Sequence, residues 1–287
     1  MKKITIKAYA KVNLTLDVVG VNGGYHDINT FVTTIDLFDK ITIKKRKDSA
    51  ISLKCTGVEM DCSITDNNAY KTAKAFADKF STNGVDITVQ KNIPLGAGLG
   101  GSSADIAGVL NGLKTLYGVK DSVLPIANEL GSDSGYMLSG GYAVLSGRGD
   151  KIKRKVFDKT LYFVILTESE QVSARASYKQ FDKLAKAYKP CTAIAEKALA
   201  DGKFEKFAKT IKNDLTEGSI QIVKQIEFNL SALKKAGARA VVMAGSGSAT
   251  VAIFDNQKQR DEVYKKLKPL YNNKILKAKT VKCGIIG

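Results

Sequence analysis

A glycine-rich stretch, Pro94-Leu-Gly-Ala-Gly-Leu-Gly-Gly-Ser-Ser103, joins two runs of different periodicity. Before it, in Val85–Val89, apolar residues alternate with polar ones, which predicts a strand. After it, in Ile106–Leu113, apolar residues fall at the i, i+3, i+4 and i+7 positions, which predicts one face of an amphipathic helix. The sequence therefore predicts a strand, a glycine loop and a helix that begins near Ser102 and ends around Tyr117.

This arrangement is typical of a phosphate site. Glycines allow positive φ angles and let a ligand approach the main chain closely. The first N–H groups of a helix are unpaired and its dipole is positive there, so anions bind at that end, and Ser102 and Ser103 add hydroxyl donors. The stretch is not a Walker A loop, because no Gly-Lys-Ser/Thr ends it, and its glycine spacing is not that of the Rossmann fingerprint. A flexible surface loop rich in glycine is the alternative.

The composition narrows the class of protein. With 44% hydrophobic and 25% charged residues, the 287-residue chain has the composition of a soluble globular protein. No apolar run reaches the roughly 18 residues of a membrane span, and Met1–Lys7 alternates as a strand does, so we expect a cytoplasmic protein without a membrane partner. The four cysteines form no Cys-x-x-Cys pair, which argues against a zinc site. His26 is the only histidine, which excludes a multi-histidine metal centre.

A formal net charge of +17 raises the possibility of an anionic partner. A nucleic-acid-binding protein of this charge is expected to have clustered lysines with interleaved aromatic residues, and an affinity that falls steeply with salt. Here the lysines are spread along the whole chain. We therefore expect most of them on solvated faces and predict no nucleic-acid partner, while the remaining positive charge favours small phosphorylated ligands.

Strand-like and helix-like runs follow one another in blocks, which predicts an α+β fold. The predicted strands are Ile4–Ile6, Leu14–Val18, Phe31–Ile35, Ile41–Lys44, Ile51–Leu53, Val85–Val89, Tyr162–Leu166, Ala240–Met243, Thr250–Phe254 and Ala278–Cys283. Predicted helices are Asp66–Phe80, the helix after the glycine loop, others that begin at about Arg175, Thr192, Lys203 and Ser219, and Gln257–Leu270. No low-complexity linker separates the two predicted domains, 1–157 and 158–287, so we expect them to pack tightly.

Three segments, in order, resemble the motifs of the GHMP kinases, the family of galactokinase and of homoserine, mevalonate and phosphomevalonate kinases. Ala10-Lys-Val-Asn-Leu14 resembles the first motif, the glycine stretch resembles the second, and Met243-Ala-Gly-Ser-Gly-Ser248 resembles the third. Together the three segments span nearly the full chain. The third motif is a glycine turn that helps to close the active site in the family.

Further segments resemble one branch of this family, whose acceptor is a methylerythritol that carries a cytidyl diphosphate. The most discriminating is Gly24-Tyr-His-Asp-Ile-Asn-Thr30, since other branches lack it. The others are Gly131-Ser-Asp133, Ser139-Gly-Gly-Tyr-Ala143, Gly147-Arg-Gly-Asp150 and Asn213-Asp-Leu215. This resemblance implies transfer of the ATP γ-phosphate to the 2-hydroxyl of the acceptor, in the non-mevalonate route to isoprenoids.

The resemblance also implies the fold and the ligands. The N-terminal domain is expected to resemble domain 2 of ribosomal protein S5, the C-terminal domain an α+β sandwich, with the active site in the cleft between them. ATP is the implied co-substrate, with Mg²⁺ held mainly by its phosphates. Asp105 is a candidate ligand, but an acidic residue early in a helix needs no such explanation. No metal ligand is therefore assigned, and the expected assembly is a monomer or a weak homodimer.

Lys11 and Asp133 match the catalytic pair of the family. Phosphoryl transfer needs positioning, charge stabilisation and a base for the hydroxyl proton. By the resemblance, Asp133 would accept that proton and Lys11 would stabilise negative charge on the transferred group. Without the motifs, Lys11 is typical of a solvated strand residue, and Asp133 is equally typical of a helix N-cap or a turn.

The remaining site residues divide between the nucleotide and the acceptor. The residues expected to bind ATP are Pro94, Leu95, Gly96, Ala97, Gly98, Leu99, Gly100, Gly101, Ser102, Ser103 and Asn67. Those expected to bind the acceptor are Asn13, Tyr25, His26, Tyr178, Gly245, Ser246 and Gly247. The aromatic rings would stack on the cytosine and the imidazole would bind its edge, in the way that proteins bind unpaired bases. A half-buried turn tyrosine beside an exposed histidine is the alternative for Tyr25 and His26. The Asn213 segment is as typical of a structural, helix-capping role as of contact with a ligand.

Two departures from the pattern of this branch concern the acceptor. The glycine stretch is one small residue shorter than in that branch and has the length of mevalonate-type relatives. After Asp133 the branch continues Val-Pro-Phe, whereas this chain has Ser134-Gly-Tyr136. Because proline fixes φ and glycine frees it, the backbone beside Asp133 is expected to differ. Another GHMP kinase, for mevalonate, homoserine or a sugar, is therefore the alternative, and a basic nucleic-acid-binding protein is a remote one.

Overall fold

The computed structural model describes residues 2–57, 62–184 and 189–281 together with the backbone of residues 285–286. The strands of the described ranges are β1 (Lys3–Asn13), β2 (Asp17–Asn22), β3 (Tyr25–Lys45), β4 (Ile51–Thr56), β5 (Val85–Gln90), β6 (Tyr142–Gly147), β7 (Lys151–Lys155), β8 (Tyr162–Leu166), β9 (Ala240–Met243), β10 (Thr250–Phe254), β11 (Ile275–Lys279) and β12 (Ile285–Ile286). The helices are α1 (Asn68–Phe80), α2 (Gly101–Tyr117), α3 (Leu124–Leu130), α4 (Ser134–Met137), α5 (Ala174–Phe181), α6 (Thr192–Ala200), α7 (Phe204–Thr210), α8 (Thr216–Ile222), α9 (Gln225–Lys235) and α10 (Gln257–Tyr271). The predicted α+β class is confirmed.

The larger sheet is organised around the long strand β3. Its order is β12-β1-β3-β5-β4, while β2 and β6 pair with the first half of β3 and β7 extends the sheet from β6. We predicted two strands, Phe31–Ile35 and Ile41–Lys44, where the structure has one. The segment between them, Asp36–Lys40, breaks the apolar alternation, but it continues the ladder with β1, which has a bulge between Tyr9 and Lys11.

Helix α2 is fixed closely against this sheet. Most of its residues from Ala104 to Leu116 are buried. Two glycines face the strands, and a Cβ at Gly108 would lie 2.6 Å from Ile41 Cδ1, while one at Gly112 would lie 2.7 Å from Ile43 Cδ1. The helix therefore sits nearer to the strands than a larger residue allows. This packing sets the position of its N-terminus, which is the end that carries the glycine loop.

The C-terminal half contains a second, antiparallel sheet of order β11-β8-β10-β9. Helices α9 and α10 pack against its strands. One cluster of buried side chains includes residues of both halves, such as Phe31 and Phe163. The expected tight packing of the halves is therefore present, while the boundary at 157/158 stays a prediction.

Several elements differ from the sequence prediction. The final strand of this sheet begins at Ile275, earlier than the predicted Ala278–Cys283, and Cys283 lies outside the described residues. We did not predict α3, α4, α9, β6 or β7. The sequence of β7 is Lys-Ile-Lys-Arg-Lys, and most of its residues are exposed, so it carries little apolar pattern. Strand pairing with β6, which no local signal reveals, determines its conformation.

Candidate active site

Backbone contacts hold the glycine loop in one shape. Lys11 N, in β1, donates to Leu99 O at 2.9 Å. Gly98 has a φ of +74°, and a Cβ at this position would overlap the carbonyl oxygen of Ala244 in the third motif. Glycine is therefore required at residue 98 for two reasons: its backbone conformation, and the close approach of the third motif. The first and third motifs meet the second at the loop itself.

Two helix N-termini converge beside this loop. Helix α2 begins at Gly101, one residue from the predicted start, and its N-cap residue Gly100 supplies no capping side chain. The N-cap of α1 is Asn67, and the Asn68 amide donates to the Ser102 hydroxyl. Uncapped N–H groups and the positive end of a helix dipole both favour a bound anion. The loop followed by an uncapped helix N-terminus is therefore present, while phosphate binding at this loop stays a prediction.

Lys11 and Asp133 form an ion pair next to the loop. Lys11 Nζ lies 3.2 Å from Asp133 Oδ2 and donates to Asn13 Oδ1 at 2.5 Å. Lys11 is 5% exposed, whereas the Asp133 side chain is 29% exposed. A buried ammonium is stable only when it is paired, so Lys11 is not the solvated strand residue of the alternative interpretation. The Asn13 amide in turn donates to Thr30 Oγ1 at 2.9 Å, which holds this second partner of Lys11 in place.

Asp133 occupies the N-cap position of the single-turn helix α4, but its side chain caps nothing. The alternative role as a side-chain N-cap is therefore not supported. Tyr136, which follows where the branch has Phe, is fully buried, and its hydroxyl donates to Gly141 O at 2.6 Å. A Cβ at Gly135 would overlap Asn128 Oδ1. The turn is thus anchored by Tyr136 and by close packing at Gly135, without the proline.

The third motif closes over Lys11. A Cβ at Gly245 would lie 3.4 Å from Lys11 Nζ and 2.9 Å from Gly98 O. The Asn213 amide donates to Met243 O at 2.9 Å and to Gly245 O at 2.6 Å. Asn213 therefore holds the glycine turn in place, which supports the structural interpretation of Asn213-Asp-Leu215. The predicted acceptor residues Ser246 and Gly247 follow in the same turn.

Of the predicted base-binding residues, His26 and Tyr178 contact each other, and His26 and Tyr25 each have a charged partner. The His26 ring stacks on Tyr178 with centroids 4.6 Å apart and planes 18° apart, and His26 Nε2 lies 2.6 Å from Asp182 Oδ1. Burial, followed by the negative charge of Asp133, raises the pKa of Tyr178 to about 12. Tyr25 is 55% exposed, and the Arg148 guanidinium carbon lies 3.6 Å from its ring centroid.

Four residues that contact the site were not predicted as part of it. They are Lys91 and Gln171 at the glycine loop, and Arg148 and Asp182 beside the aromatic rings. The Gln171 side chain packs against Gly96, and Gly149, next to Arg148, lies beside Asp133. Arg148 falls within the quoted Gly147–Asp150 segment, so that motif offered a signal for it. No pattern in the sequence distinguishes Lys91 or Asp182 from the many other charged residues.

The predicted adenine contact and the candidate metal ligand have protein partners. Asn67 Oδ1 accepts from Ala69 N at 2.9 Å, and its amide lies 4.0 Å from Cys55 Sγ. Asp105 is the fifth residue of α2, and its carboxylate is already paired with the ammonium of Lys91. Across the described ranges there is no cluster of three histidine, cysteine or carboxylate side chains able to hold a metal.

Comparisons with known proteins establish the family of the chain. The model of the GHMP kinase N-terminal domain matches residues 67–147, and that of the C-terminal domain matches residues 195–273. The chain belongs to the GHMP kinase family and is an ATP-dependent phosphotransferase. Nowhere in the described residues is a helix long and apolar enough to cross a membrane.

Relatives over most of the chain share one name, 4-diphosphocytidyl-2-C-methyl-D-erythritol kinase. The protein of that name from Caldicellulosiruptor saccharolyticus is 34% identical over 88% of this chain and 88% of its own. The one from Clostridium beijerinckii is 34% identical over 93% of this chain and 97% of its own. A crystal structure described as 4-(cytidine 5'-diphospho)-2C-methyl-D-erythritol kinase has a TM-score of 0.81, with 24% identity over 96% of this chain and 98% of its own. The structure of a homoserine kinase from Cytophaga hutchinsonii has a TM-score of 0.73, with 17% identity over 100% of this chain and 97% of its own. Likeness of fold alone therefore does not distinguish the acceptors.

Proposed function

We propose that this chain transfers the γ-phosphoryl group of ATP to the 2-hydroxyl of 4-diphosphocytidyl-2-C-methyl-D-erythritol, the compound in the names of its relatives. The observation that carries the proposal is the ion pair of Lys11 and Asp133, which are 3.2 Å apart. This pair lies where the first, second and third motifs meet. The stacked pair of His26 and Tyr178 supports the cytidyl part of the acceptor. The two together favour this acceptor over mevalonate or homoserine, which have no base to stack.

Asp133 is the group that accepts the proton of the attacking hydroxyl. Its carboxylate is partly exposed and its second oxygen is not held by Lys11, so it is accessible to an acceptor. As the hydroxyl oxygen forms a bond to the γ-phosphorus, its proton passes to Asp133 and ADP leaves with the electrons of the broken bond. Lys11 stabilises the negative charge that develops on the transferred group.

The backbone of the glycine loop and the N-terminus of α2 bind the phosphates of ATP. Uncapped N–H groups at Gly101, Ser102 and Ser103 supply donors without the side-chain reorganisation that long lysines need. Oxygen donors nearby, the Ser103 hydroxyl and the Asp133 carboxylate, suit Mg²⁺, which prefers oxygen ligands and keeps several waters. When bound, Mg²⁺ would neutralise phosphate charge, and the ATP phosphates would be its main ligands.

The aromatic cluster binds the cytidine end. Aromatic rings bind any base through its face, and an imidazole nitrogen binds its edge, so His26 and Tyr178 together distinguish a base from an aliphatic acceptor. Tyr25 is the most exposed of the three aromatic residues and offers a second face. Because the His26 ring is stacked on one face of Tyr178 in the structure, there are two ways for the base to bind. It stacks on the outer face of one of these two rings, or it displaces the imidazole from Tyr178.

A panel of acceptors tests the proposal. ADP release is measured with 4-diphosphocytidyl-2-C-methyl-D-erythritol, mevalonate, homoserine and galactose, with and without Mg²⁺, using the wild type and Asp133→Asn. We expect turnover of the cytidyl acceptor alone, dependent on Mg²⁺ and lost in the variant. Turnover of mevalonate at an equal or higher rate would instead support the alternative suggested by the loop length. Full activity of Asp133→Asn would refute the assignment of the base.

The cytoplasmic location and the assembly as a monomer or weak homodimer are also part of the proposal. Free cysteines support a reducing compartment, since Cys55, Cys62 and Cys191 form no disulfide. Light scattering after gel filtration at several concentrations tests the assembly, and a fixed mass of twice 30.9 kDa at the lowest concentration would contradict it. Binding to RNA as strong as that to ADP would support the remote nucleic-acid-binding alternative.

A further inference from the structure

Three charged side chains form a buried cluster beneath the glycine loop. Lys91 Nζ donates to Asp105 Oδ2 at 2.5 Å and also to Asp39 Oδ2. These three residues, which we call the loop clasp, are each less than 9% exposed. They come from three places in the fold: Asp39 lies in β3, Lys91 follows β5, and Asp105 lies in α2. The clasp is separate from the Lys11–Asp133 pair, because its ammonium and carboxylates have other partners.

The clasp joins the two ends of the glycine loop. At the start of the loop, Asp39 Oδ1 accepts from Asn92 N at 2.6 Å and from Ile93 N at 2.8 Å. At its end, the Lys91 ammonium lies close to the first residue of α2, because a Cβ on Gly101 would be 3.7 Å from Nζ. Asp105, one turn further along α2, completes the link through Lys91. The segment between them, Pro94–Gly100, is the larger part of the predicted phosphate cradle, Pro94–Ser103.

Stability alone does not explain the second carboxylate of the clasp. One carboxylate neutralises one lysine, and a buried ion pair is often no more stable than apolar residues of the same volume. Here Asp105 Oδ1 is buried with no hydrogen-bond partner in the described protein. Burial and the nearby negative charge of Asp39 raise the pKa of Asp105 to about 7, against the opposing effect of Lys91. The chain thus retains an unfavourably placed carboxylate at the end of the loop.

We propose that Asp105 is a positioning residue for the nucleotide: through Lys91, it holds the first turns of α2 against the start of the glycine loop, so that the phosphate cradle is formed before ATP binds. The inference rests on the proposed assignment of the loop to ATP. A cradle that is already formed does not lose conformational freedom on binding, and its affinity is higher for that reason. A cation site is not the better explanation, because Lys91 already supplies the positive charge.

The test compares nucleotide affinity with stability in matched variants. Asp105→Ala removes the link but leaves Lys91 paired with Asp39, and Asp105→Asn keeps an oxygen that accepts from Lys91. Glu196→Ala is the control, since it breaks a lysine–carboxylate pair of 2.6 Å with Lys155, between α6 and β7. Binding of ADP and of CDP, as probes of the two ends of the site, is measured by calorimetry, and amide hydrogen exchange is followed across residues 94–103.

We expect Asp105→Ala to bind ADP about 10-fold more weakly, which corresponds to about 1.4 kcal/mol, with CDP affinity unchanged. Amide exchange in the loop rises in this variant, while Asp105→Asn stays within about 3-fold of the wild type in ADP affinity.

Equal ADP affinity in Asp105→Ala and Glu196→Ala would overturn the inference, even if Asp105→Ala melts at a lower temperature. If Asp105→Ala does not fold, Asp105→Ser, too short to reach Lys91, takes its place with the same expectations. A wild type that binds no ADP would refute the proposed function instead.

Discussion

The two ends of the candidate site are built in different ways. At the phosphate end, the loop is held by backbone contacts with other segments of the same chain, such as the hydrogen bond from Lys11 N to Leu99 O. At the base end, exposed or half-buried side chains contact one another, as in the stack of His26 on Tyr178. In the proposed function, the closely held phosphate end positions the reacting groups, and the more exposed base end admits the large acceptor. Substitutions at the two ends are therefore expected to affect different steps of the reaction.

The largest effect is expected at the reacting groups between the two ends. Asp133→Ala removes the proposed base, and positioned general bases contribute about 10² to 10⁴ to the rate. We expect kcat to fall by that factor, with the affinities for ADP and CDP little changed. Stopped assays of product formation and calorimetry of the same preparation measure the two quantities. A loss of less than about 10-fold in kcat would contradict the role of Asp133.

The phosphate end is tested by two glycines with matched backbone angles. Gly98 and Gly118 have φ of +74° and +72°, but a Cβ on Gly98 would overlap Ala244 O, whereas Gly118 has open space around it. Both Gly→Ala variants bear the backbone strain, of order 1 kcal/mol. Only Gly98→Ala must also displace the third motif, so we expect its KM for ATP to rise by more than about 10-fold. Equal ATP kinetics in the two variants would show that the contact between the motifs is unimportant.

The base end is tested at Tyr178. Stacking of a base on an aromatic ring contributes about 1–3 kcal/mol, so Tyr178→Ala is expected to raise the KM of the cytidyl acceptor by about 10-fold or more. The KM for ATP should not change, because the ring stacks on His26 at the base end, whereas ATP is proposed to bind at the glycine loop. Tyr178→Phe, which keeps the ring, serves as the control and is expected to resemble the wild type. A parallel rise in both KM values for Tyr178→Ala would mean that the two ends are not independent.

A change of stability with pH is expected to arise in the loop clasp, away from the reacting groups. The pKa of Asp105 is raised by burial from 3.8 to about 7, so the folded chain binds a proton that the unfolded chain releases above about pH 4. This contribution to stability is complete below about pH 4 and is lost as the pH rises through about 7. Urea unfolding at pH 5, 6, 7 and 8 should therefore show the wild type losing stability relative to Asp105→Asn. Parallel curves for the two proteins would contradict the raised pKa.

The difference between the ends also determines what the sequence could predict. The strand, glycine loop and helix around Pro94–Ser103 form a local pattern, and the helix begins within one residue of its predicted start. Lys11 and Asp133 were found only through the motifs, because nothing local distinguishes a catalytic lysine from a solvated one. The ion pair itself joins β1 to the N-cap of α4, two places that are far apart in the sequence.

Contacts between distant residues account for most of what was missed. Asp182 meets His26 across 156 positions of sequence, and Lys91 meets Asp39 across 52. Strand β7 likewise forms by pairing, since its charged residues carry little apolar pattern. Periodicity and turn chemistry describe neighbours along the chain, so they predict elements better than they predict the partners that those elements bring together.

The position of the transferred phosphate tests the central claim most directly. Phosphorus NMR of the product formed from ATP and 4-diphosphocytidyl-2-C-methyl-D-erythritol by the wild type would show a new phosphomonoester, which correlation to carbon assigns to one hydroxyl. The account predicts a single product with the phosphate on the 2-hydroxyl, and none with Asp133→Ala. A phosphate on another hydroxyl, or no transfer to this acceptor while mevalonate or homoserine is phosphorylated, would contradict it.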